Sequence, residues 1–405
     1  MRPTLSLRSP FATRAALAVA AAFLHACGGG GGSGATGGGT DTTKLSPAAA
    51  LGQKIFADAS LSASGKISCA TCHNPAHAHA TGNPEIVVPS GGADLSVPGF
   101  RKPPSLAYLG TTPAFYFARD GTPTGGFNRD GRSNTLINQA QRRFLAAWEM
   151  ANATPADVVA GLQRASYADE FRSVFGTEIF DTLDAAFDRV RSALAQYQLE
   201  DPEFHPFTSK YDLFLAGKVQ FADRELRGLA LFNDPQKGNC AACHPSARGA
   251  DGSLPLFTDF TYDNLGVPRN DDIPANGDPA YFDLGLCGPF RSDLASRTDL
   301  CGAFKVPTLR NVAVTPPYFH NGRFKTLTDA LGFYVRRDTN PEQWYPLSAD
   351  GVPDKFDDLP PQYRRNVNQE EVSYNRRPGR APALSPDEIE LVIEFLNTLT
   401  DGYTP

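Results

Sequence analysis

Apolar residues recur at helical spacing in several segments of the chain, and each segment begins with a helix-start signal. The clearest case is SPDEIELVIEFLNTL near the C-terminus, where Ser385 is the predicted N-cap and Pro386 the first helical residue. Glu388 completes a capping box, because its side chain can accept a hydrogen bond from the N-cap backbone. The apolar residues that follow share one face of the helix: Val392, Phe395, Leu396 and Leu399.

Further segments have the same pattern. Ser46 and Pro47 precede an apolar stripe through Leu51 and Ile55, and Thr154 caps the segment PADVVAGLQRA. Another helical stripe consists of Leu183, Phe187, Val190, Leu194 and Tyr197. Alternating apolar patterns of strand length are scarce, and long loops rich in proline and glycine join the helices. The predicted fold class is therefore mainly α.

The predicted helices belong to a unit that occurs twice. KPPSLAYLGTTPAFYF (residues 102–117) aligns without a gap with KVPTLRNVAVTPPYFH (residues 305–320), and DGRSNTL (residues 130–136) aligns with NGRFKTL (residues 321–327). LGQKIFAD ahead of CATCH likewise matches RGLALFND ahead of CAACH. These matches indicate a duplicated module, whose predicted join is the polar stretch over residues 199–210.

A Cys-x-x-Cys-His motif occupies the equivalent place in each unit. Two thiols at this spacing can each form a thioether with one porphyrin vinyl group, and the next residue places its imidazole under the iron. Zinc would need further Cys or His ligands, and a thioredoxin-like dithiol would need a βαβ setting without a trailing histidine. We therefore predict two covalently bound haem c groups, haem 1 at Cys69, Cys72 and His73 and haem 2 at Cys240, Cys243 and His244.

The remaining cysteines and the histidines near haem 1 receive structural interpretations. Cys287 and Cys301, both beside glycines, are predicted to form a disulfide, with two free thiols as the weaker alternative. His77 and His79 follow the first motif. We expect both of them on a solvated turn beside the haem edge rather than as iron ligands.

Residues 1–27 have the build of an export signal, with three arginines, an apolar run and small residues before Cys27. The apolar run is too short to span a bilayer permanently. The motif LHAC that ends at Cys27 resembles a bacterial lipobox, and an ordinary signal peptide cut nearby is the alternative. A glycine-rich linker over residues 28–45 suits a flexible tether. We predict a periplasmic protein held at the membrane through a lipid anchor only.

The charge of the chain bears on its binding partners, and its length bears on the number of domains. The formal net charge is −6, and no run of Lys or Arg follows the first residues, which argues against nucleic acid as a partner. A chain of 405 residues with 41% hydrophobic content can form one large core or two ordinary ones. We predict two tandem cytochrome c-like haem domains with long loops, an N-terminal one over residues 46–205 and a C-terminal one over residues 206–405.

The sixth iron ligand decides whether a haem carries electrons or reacts with peroxide. A haem with two strong axial ligands carries electrons, whereas a haem with an open face can bind peroxide or oxygen. The common high-potential electron carrier uses His and Met as its ligands. The methionines of this chain are Met1, which leaves with the signal, and Met150. At most one haem can therefore have a His/Met ligand pair.

The order of these parts resembles that of bacterial di-haem cytochrome c peroxidases and their MauG-like relatives. The resemblance rests on the two Cys-x-x-Cys-His motifs, DGRSNTLINQA, WEM and FKVPTLRNVAVTPPYFHNGRFKTL, and covers nearly all of residues 46–402. In the peroxidases a methionine fourteen residues after the PYFH histidine ligates haem 2, and the same count from His320 reaches Tyr334. Tyrosine at this place is typical of the MauG-like group, so the resemblance implies that Tyr334 ligates haem 2. The alternative is that Tyr334 packs on a helical face with Leu327, Ala330 and Leu331.

The internal repeat makes the two haems unequal. It aligns Arg143 of the first unit with Tyr334 of the second, and a protonated arginine has no lone pair to offer iron. Haem 1 should therefore be open on its distal side. Resting peroxidases close this face with a loop histidine, but residues 80–125 contain none. We expect activity without reductive priming.

The resemblance also supplies candidate catalytic residues. Glu149 matches the family's catalytic glutamate, which takes the proton from the near peroxide oxygen and returns it to the leaving one. Gln139 matches its distal glutamine, which orients peroxide. Without the surrounding motif, each would be interpreted as a polar residue on a surface helix. Met150 is expected to pack rather than to bind iron.

This chain departs from the family pattern in two places. The family's tryptophan between the haems is Arg129 here, so that charge sharing through an aromatic residue needs Trp148 or a phenylalanine instead. The family's calcium site would use the backbone oxygens of Thr315 and Pro317, but Tyr108 stands at its asparagine position. Calcium therefore stays a candidate cofactor at this site.

Together these features predict a di-haem c-type peroxidase. Hydrogen peroxide reacts at the N-terminal haem, high-valent iron is shared with the second haem, and a substrate, with a protein side chain as candidate, supplies electrons. One alternative is a hydrogen peroxide-detoxifying cytochrome c peroxidase fed by a small redox protein. Another is a non-catalytic di-haem electron carrier.

Overall fold

Helices make up most of the regular structure in the part of the chain that the computed structural model describes, residues 44–81 and 83–405. The α-helices are α1 (Pro47–Ala57), α2 (Cys69–Cys72), α3 (Leu136–Leu145), α4 (Pro155–Arg164), α5 (Ala168–Phe175), α6 (Leu183–Glu200), α7 (Lys210–Leu215), α8 (Asp223–Asn233), α9 (Leu327–Arg336) and α10 (Pro386–Asn397). The mainly α class is confirmed. The predicted export signal and most of the predicted linker lie outside the described residues.

Short 3-10 helices and two-residue strands lie within the loops. The 3-10 helices are Ala59–Leu61, Pro75–His77, Leu109–Thr111, Ile179–Asp181, Pro202–Phe204, Cys240–Ala242, Pro274–Gly277, Thr298–Leu300, Val312–Val314, Pro341–Gln343 and Pro361–Asn366. Two-residue strands form antiparallel pairs, β1 (Ser90–Gly91) with β2 (Val97–Pro98), β3 (Tyr116–Phe117) with β4 (Pro123–Thr124), and β5 (Tyr262–Asp263) with β6 (Phe304–Lys305). In register, Ser90 faces Pro98, Tyr116 faces Thr124 and Tyr262 faces Lys305.

The predicted helix starts are confirmed by their caps. The Ser46 side chain accepts a hydrogen bond from the backbone N–H of Ala49 at the start of α1. A capping box begins α4 at Thr154, and another begins α10, where Ser385 and Glu388 exchange hydrogen bonds. These caps satisfy N–H groups that have no partner inside the helix.

The same helix pair occurs once in each half of the chain. Helix α1 crosses α6 at Gly52, where an added Cβ would lie 2.0 Å from the carbonyl oxygen of Ala193. Helix α8 crosses α10 at Gly228, where the corresponding distance, to the carbonyl oxygen of Leu391, is 2.1 Å. Only glycine permits so close an approach of two helices. The two aligned glycines are therefore needed for the same steric reason.

The aligned loops also share their conformation. Tyr108 and its counterpart Asn311 both have left-handed backbones, with φ of 64° and 61°, and each precedes a 3-10 turn. Thr135 and Thr326 cap the aligned helices α3 and α9 through their side chains. The repeat predicted from the sequence is therefore present in the backbone.

The hydrophobic clusters change at the predicted join. One cluster is built from residues between 51 and 204, and the next from residues between 211 and 399. A third cluster, from residues between 267 and 367, joins loop residues of the second half to Ala330 and Phe333 of α9. The assignment of a haem domain to each half stays a prediction.

Two further predictions can be compared with the described residues. Cys287 and Cys301 form the predicted disulfide. Among the described helices, none combines the length and apolar character needed to cross a membrane.

Candidate functional site

The first Cys-x-x-Cys-His motif forms helix α2 and presents an oriented histidine. Nδ1 of His73 donates a hydrogen bond to the carbonyl oxygen of His79 at 2.9 Å, which leaves Nε2 as the nitrogen with a free lone pair. Burial lowers the pKa of His73 to about 4, so the imidazole is neutral at pH 7. A neutral imidazole with one fixed nitrogen is what an iron ligand requires.

The second motif has the same arrangement on a 3-10 turn, Cys240–Ala242. Nδ1 of His244 donates to the carbonyl oxygen of Phe257 at 2.7 Å, and burial lowers the pKa of His244. Backbone carbonyls therefore fix both histidines, each in the tautomer that leaves Nε2 free.

The four motif cysteines fit thioether attachment better than metal binding. They are unpaired, and burial raises the pKa of Cys69, Cys240 and Cys243 to about 12 and that of Cys72 to about 11. Zinc binding uses thiolates, which burial disfavours here. In residues 44–81 and 83–405, no group of three or more His, Cys, Asp or Glu side chains is arranged to hold a metal ion. The residues present fit the predicted haem c.

The predicted catalytic residues meet at a cavity of about 140 Å³ beside the first motif. Gln139 and Glu149 line it together with Cys69, Cys72 and His73. Gln139 comes from α3, and Glu149 from the turn that follows that helix. The hairpin at β1 supports this turn, since Gly92 N donates to Glu149 O at 3.1 Å. Met150 belongs to the adjoining hydrophobic core, as expected.

Arg143 also lines this cavity, where it binds the predicted catalytic carboxylate. Its guanidinium forms an ion pair with Glu149 and donates a second hydrogen bond to Asn128 Oδ1. The sequence indicated that Arg143 could not ligate iron, but neither this ion pair nor Asn128 was predicted. Glu149 is six residues beyond Arg143 and outside the helix, so no helical spacing signals the contact.

Tyr334 lines a larger cavity, of about 340 Å³, together with His244, Cys240 and Cys243. The cavity extends far enough that His73 also borders it. The Tyr334 ring lies 5.5 Å from that of Phe319 and 6.4 Å from that of Tyr374, measured between centroids. Burial, reinforced by Asp263, raises the pKa of Tyr334, so that a phenolate here needs a cation beside it. Its role as an iron ligand stays a prediction.

Three basic side chains line the larger cavity with no carboxylate of residues 44–81 and 83–405 within salt-bridge distance: Lys102, Arg129 and Lys305. Lys305 Nζ donates to the carbonyl oxygen of Gly126 at 2.6 Å, and Arg129 Nε to that of Lys102 at 3.4 Å. Burial lowers the pKa of Lys305 to about 8 and that of Arg129 to about 10. Buried cations without counter-charge are costly. Haem propionates would supply the missing negative charges.

A lysine amino group already faces the predicted calcium position. Lys102 Nζ donates to the carbonyl oxygen of Thr315 at 2.8 Å, and the contact is buried. The Tyr108 hydroxyl, at the family's asparagine position, donates to Asp401 at 2.6 Å. Thr315 and Pro317 both border the large cavity, but their surroundings do not fit a divalent cation. Calcium binding stays an untested prediction.

The expectation of a solvated turn is wrong for His79. Its side chain is 1% exposed, and its ring stacks on that of Phe204 at a centroid distance of 3.9 Å. His79 is not placed as a ligand. Instead its backbone carbonyl orients His73, a role that the sequence did not indicate because any residue type has that carbonyl. His77 lies at the end of a 3-10 turn and is partly buried.

Comparison with known proteins identifies the family. The profile of the di-haem cytochrome c peroxidase family matches residues 46–220. The chain is 36% identical over 367 residues to the methylamine utilization protein MauG of Paracoccus denitrificans, covering 87% of this chain and 88% of that protein. It is 29% identical over 313 residues to the cytochrome c551 peroxidase of Nitrosomonas europaea, covering 74% and 76%.

A solved structure agrees with these relatives. The diheme peroxidase BthA of Burkholderia thailandensis superposes with a TM-score of 0.80 at 37% sequence identity, covering 89% of this chain and 87% of that one. The chain therefore belongs to the di-haem cytochrome c peroxidase family and is a di-haem peroxidase, an oxidoreductase.

Proposed function

We propose that this peroxidase attaches two haem c groups covalently, at Cys69, Cys72 and His73 and at Cys240, Cys243 and His244. With haem bound, hydrogen peroxide would react at the first site, and the oxidising equivalents would be shared with the second site. A substrate, with a protein side chain as candidate, supplies the electrons. The observation that carries this proposal is the different side chain at equivalent points of two aligned helices, Arg143 on α3 and Tyr334 on α9.

Haem c, when bound, supplies the iron that reacts with peroxide and stores oxidising equivalents. Nε2 of His73 and Nε2 of His244 would be the iron ligands that the protein supplies. The two carbonyl groups that accept from Nδ1 hold each ring in one orientation and strengthen it as a base.

At the first site, Glu149 is the proposed proton carrier. Its carboxylate accepts the proton of the near peroxide oxygen and returns it to the leaving oxygen, as general acid–base catalysis requires. The ion pair with Arg143 holds that carboxylate at the cavity wall, and the hairpin contact at Gly92 holds the backbone of Glu149. Gln139, on the same wall, orients peroxide through its amide.

At the second site, Tyr334 is the proposed sixth ligand. A phenolate is a hard anion that stabilises oxidised iron and lowers the haem potential, whereas a methionine thioether does the reverse. Such a haem is a poor acceptor of electrons from an ordinary donor but is itself readily oxidised further. It therefore suits sharing of oxidising equivalents with the first haem.

The proposed location follows from residues 1–27, which lie outside the described part of the chain. An export signal that ends in a lipobox would deliver the protein to the periplasm and tether it through lipid on Cys27. Metabolic labelling with a lipid precursor tests this, because a Cys27→Ser variant would lose the label. Release of the wild-type protein without any label would contradict the anchor.

A peroxide-detoxifying enzyme fed by a small redox protein is the second candidate, favoured by the similarity to a cytochrome c551 peroxidase. The two functions differ in the state that reacts. We expect the fully oxidised protein to change its absorption spectrum within the mixing time of a stopped-flow experiment with peroxide. A donor-fed enzyme would react only after half-reduction, and a plain electron carrier would not react in either state.

Electron paramagnetic resonance of the oxidised protein tests the asymmetry directly. We expect one high-spin iron with an open position and a second iron with a phenolate ligand. Two low-spin irons saturated by nitrogen or sulfur ligands would overturn the proposal.

A further inference from the structure

One of the chain's two tryptophans forms the boundary between the first haem cavity and the protein surface. Trp148 lines the 140 Å³ cavity with His73 and Glu149, and it also lines an outer depression of about 530 Å³. Arg142 and Phe290 are part of the wall of that depression. The Trp148 side chain is partly exposed, so that it reaches both solvent and the reactive site.

The Trp148 indole is held rigidly by other aromatic rings. It meets Phe100 edge to face at a centroid distance of 5.0 Å and Phe290 at 5.7 Å. The backbone beneath it is tightly packed, since a Cβ added to Gly91 would lie 2.2 Å from the carbonyl oxygen of Trp148. Among these rings only the indole is readily oxidised, because phenylalanine gives up an electron far less easily.

Trp344 provides a contrast within the same chain. Its ring packs on Phe324 and Phe333, and its Nε1 is buried without a hydrogen-bond partner among the described residues. It borders a separate surface depression and neither of the two haem cavities. A buried indole without an acceptor has no route for losing its proton.

We propose that Trp148 is the residue through which oxidising equivalents leave the first haem site toward an organic hydrogen-atom donor at the outer depression, for which a small phenol serves as the probe. Trp148 gives one electron to the peroxide-oxidised site and releases its Nε1 proton to solvent. The resulting neutral radical takes one electron and one proton from the donor, which becomes a radical. Two such cycles supply the two electrons and two protons that convert one peroxide into two waters. This inference rests on the proposed peroxide chemistry at haem 1.

The first test uses the haem-loaded protein and peroxide without any donor, followed by peptide mass spectrometry. We expect oxygen-addition products at Trp148 and none at Trp344, and added phenol should suppress them. Equal modification of both tryptophans, or none at Trp148, would overturn the inference.

The second test compares W148F, W148Y and W344F in stopped-flow and steady-state assays with a small phenol. We expect W148F to retain the initial spectral change with peroxide but to oxidise phenol roughly tenfold more slowly. W148Y should recover part of the rate, because tyrosine is also oxidisable, and W344F should match the wild type. A W148F rate equal to wild type would reject the exit role, whereas a wild-type protein that does not react with peroxide at all would instead reject the proposed function.

Discussion

Helices α3 and α9 are the most instructive pair of regions in the molecule. Each begins at a threonine cap, and the aligned side chains Arg143 and Tyr334 both reach a cavity lined by a motif histidine. One of these groups is a permanent cation that binds Glu149, and the other is a phenol that can become an anion. The backbone is therefore duplicated, while the chemistry at this point is not.

The comparison gives a structural reason why the two proposed haem sites would differ on one duplicated backbone. A cation beside the first cavity cannot occupy an iron coordination position, and it positions a carboxylate there instead. A phenol beside the second cavity can close the coordination sphere. The difference lies in one side chain on each helix. Exchanging or removing these side chains is therefore the most direct test of whether they make the two sites different.

Replacing Tyr334 with Met should have the largest effect. A thioether in place of a phenolate favours reduced iron, so we expect the midpoint potential of haem 2 to rise by a sizeable part of the roughly 0.8 V that axial ligands span. Spectroelectrochemistry measures the shift. Tyr374→Phe is the matched control, because it removes a hydroxyl from the same cavity without removing the proposed ligand. An unchanged potential in Y334M would mean that Tyr334 only packs.

Replacing Glu149 with Gln tests the first half of the comparison. The amide keeps the shape of the side chain but cannot accept the peroxide proton, so we expect the peroxide reaction to slow by about 10²–10⁴-fold. Stopped-flow absorbance measures this rate. Glu178→Gln is the control, because Glu178 is exposed at the start of the 3-10 helix Ile179–Asp181. This variant should leave the rate of the peroxide reaction unchanged. A similar rate in E149Q and the control would remove Glu149 from the mechanism.

Arg310 marks a structural asymmetry, since its aligned partner in the first half is Ala107. Its guanidinium is fully buried and binds both carboxylate oxygens of Asp212, at 2.8 and 3.0 Å. Arg310→Met should reduce the free energy of unfolding by about 3–5 kcal/mol, because it leaves a buried carboxylate unpaired. Urea unfolding followed by circular dichroism measures the loss.

The control for this pair is a surface ion pair of the same residue types. Arg172 and Asp169 are partly and almost fully exposed, so Arg172→Met should change the unfolding curve very little. Loss of stability in both variants to the same extent would show that burial of the Arg310 pair is not what stabilises the second half.

Local signals explain what could be predicted from the sequence. The caps at Ser46, Thr154 and Ser385 depend on residues within one helical turn, so their pattern is visible in the chain itself. Gln139 and Glu149 could be named because they belong to a motif that the family resemblance interprets. Their meeting at one cavity follows from the short turn after α3.

Contacts between distant parts of the chain could not be predicted. His79 is buried because Phe204, more than a hundred residues away, stacks on its ring. The carbonyl groups that orient His73 and His244 belong to the backbone, which the sequence does not distinguish. The contact of Lys102 with Thr315 likewise joins two loops that only the tertiary fold brings together.

The last prediction concerns the contact between Lys102 and Thr315. In the wild type we expect no bound calcium and no effect of a calcium chelator. Because the Lys102 amino group already bonds the Thr315 carbonyl oxygen, elemental analysis of the dialysed protein should find iron without calcium, and a calcium chelator should change neither the haem spectrum nor the unfolding curve. In Lys102→Met the carbonyl loses its buried donor, which costs about 1–3 kcal/mol of stability. Added calcium should restore part of that loss in the variant and none in the wild type, since only the variant has a vacant cation position. One calcium per wild-type chain, removed by the chelator with loss of stability, would show that the Lys102 amino group does not replace the metal.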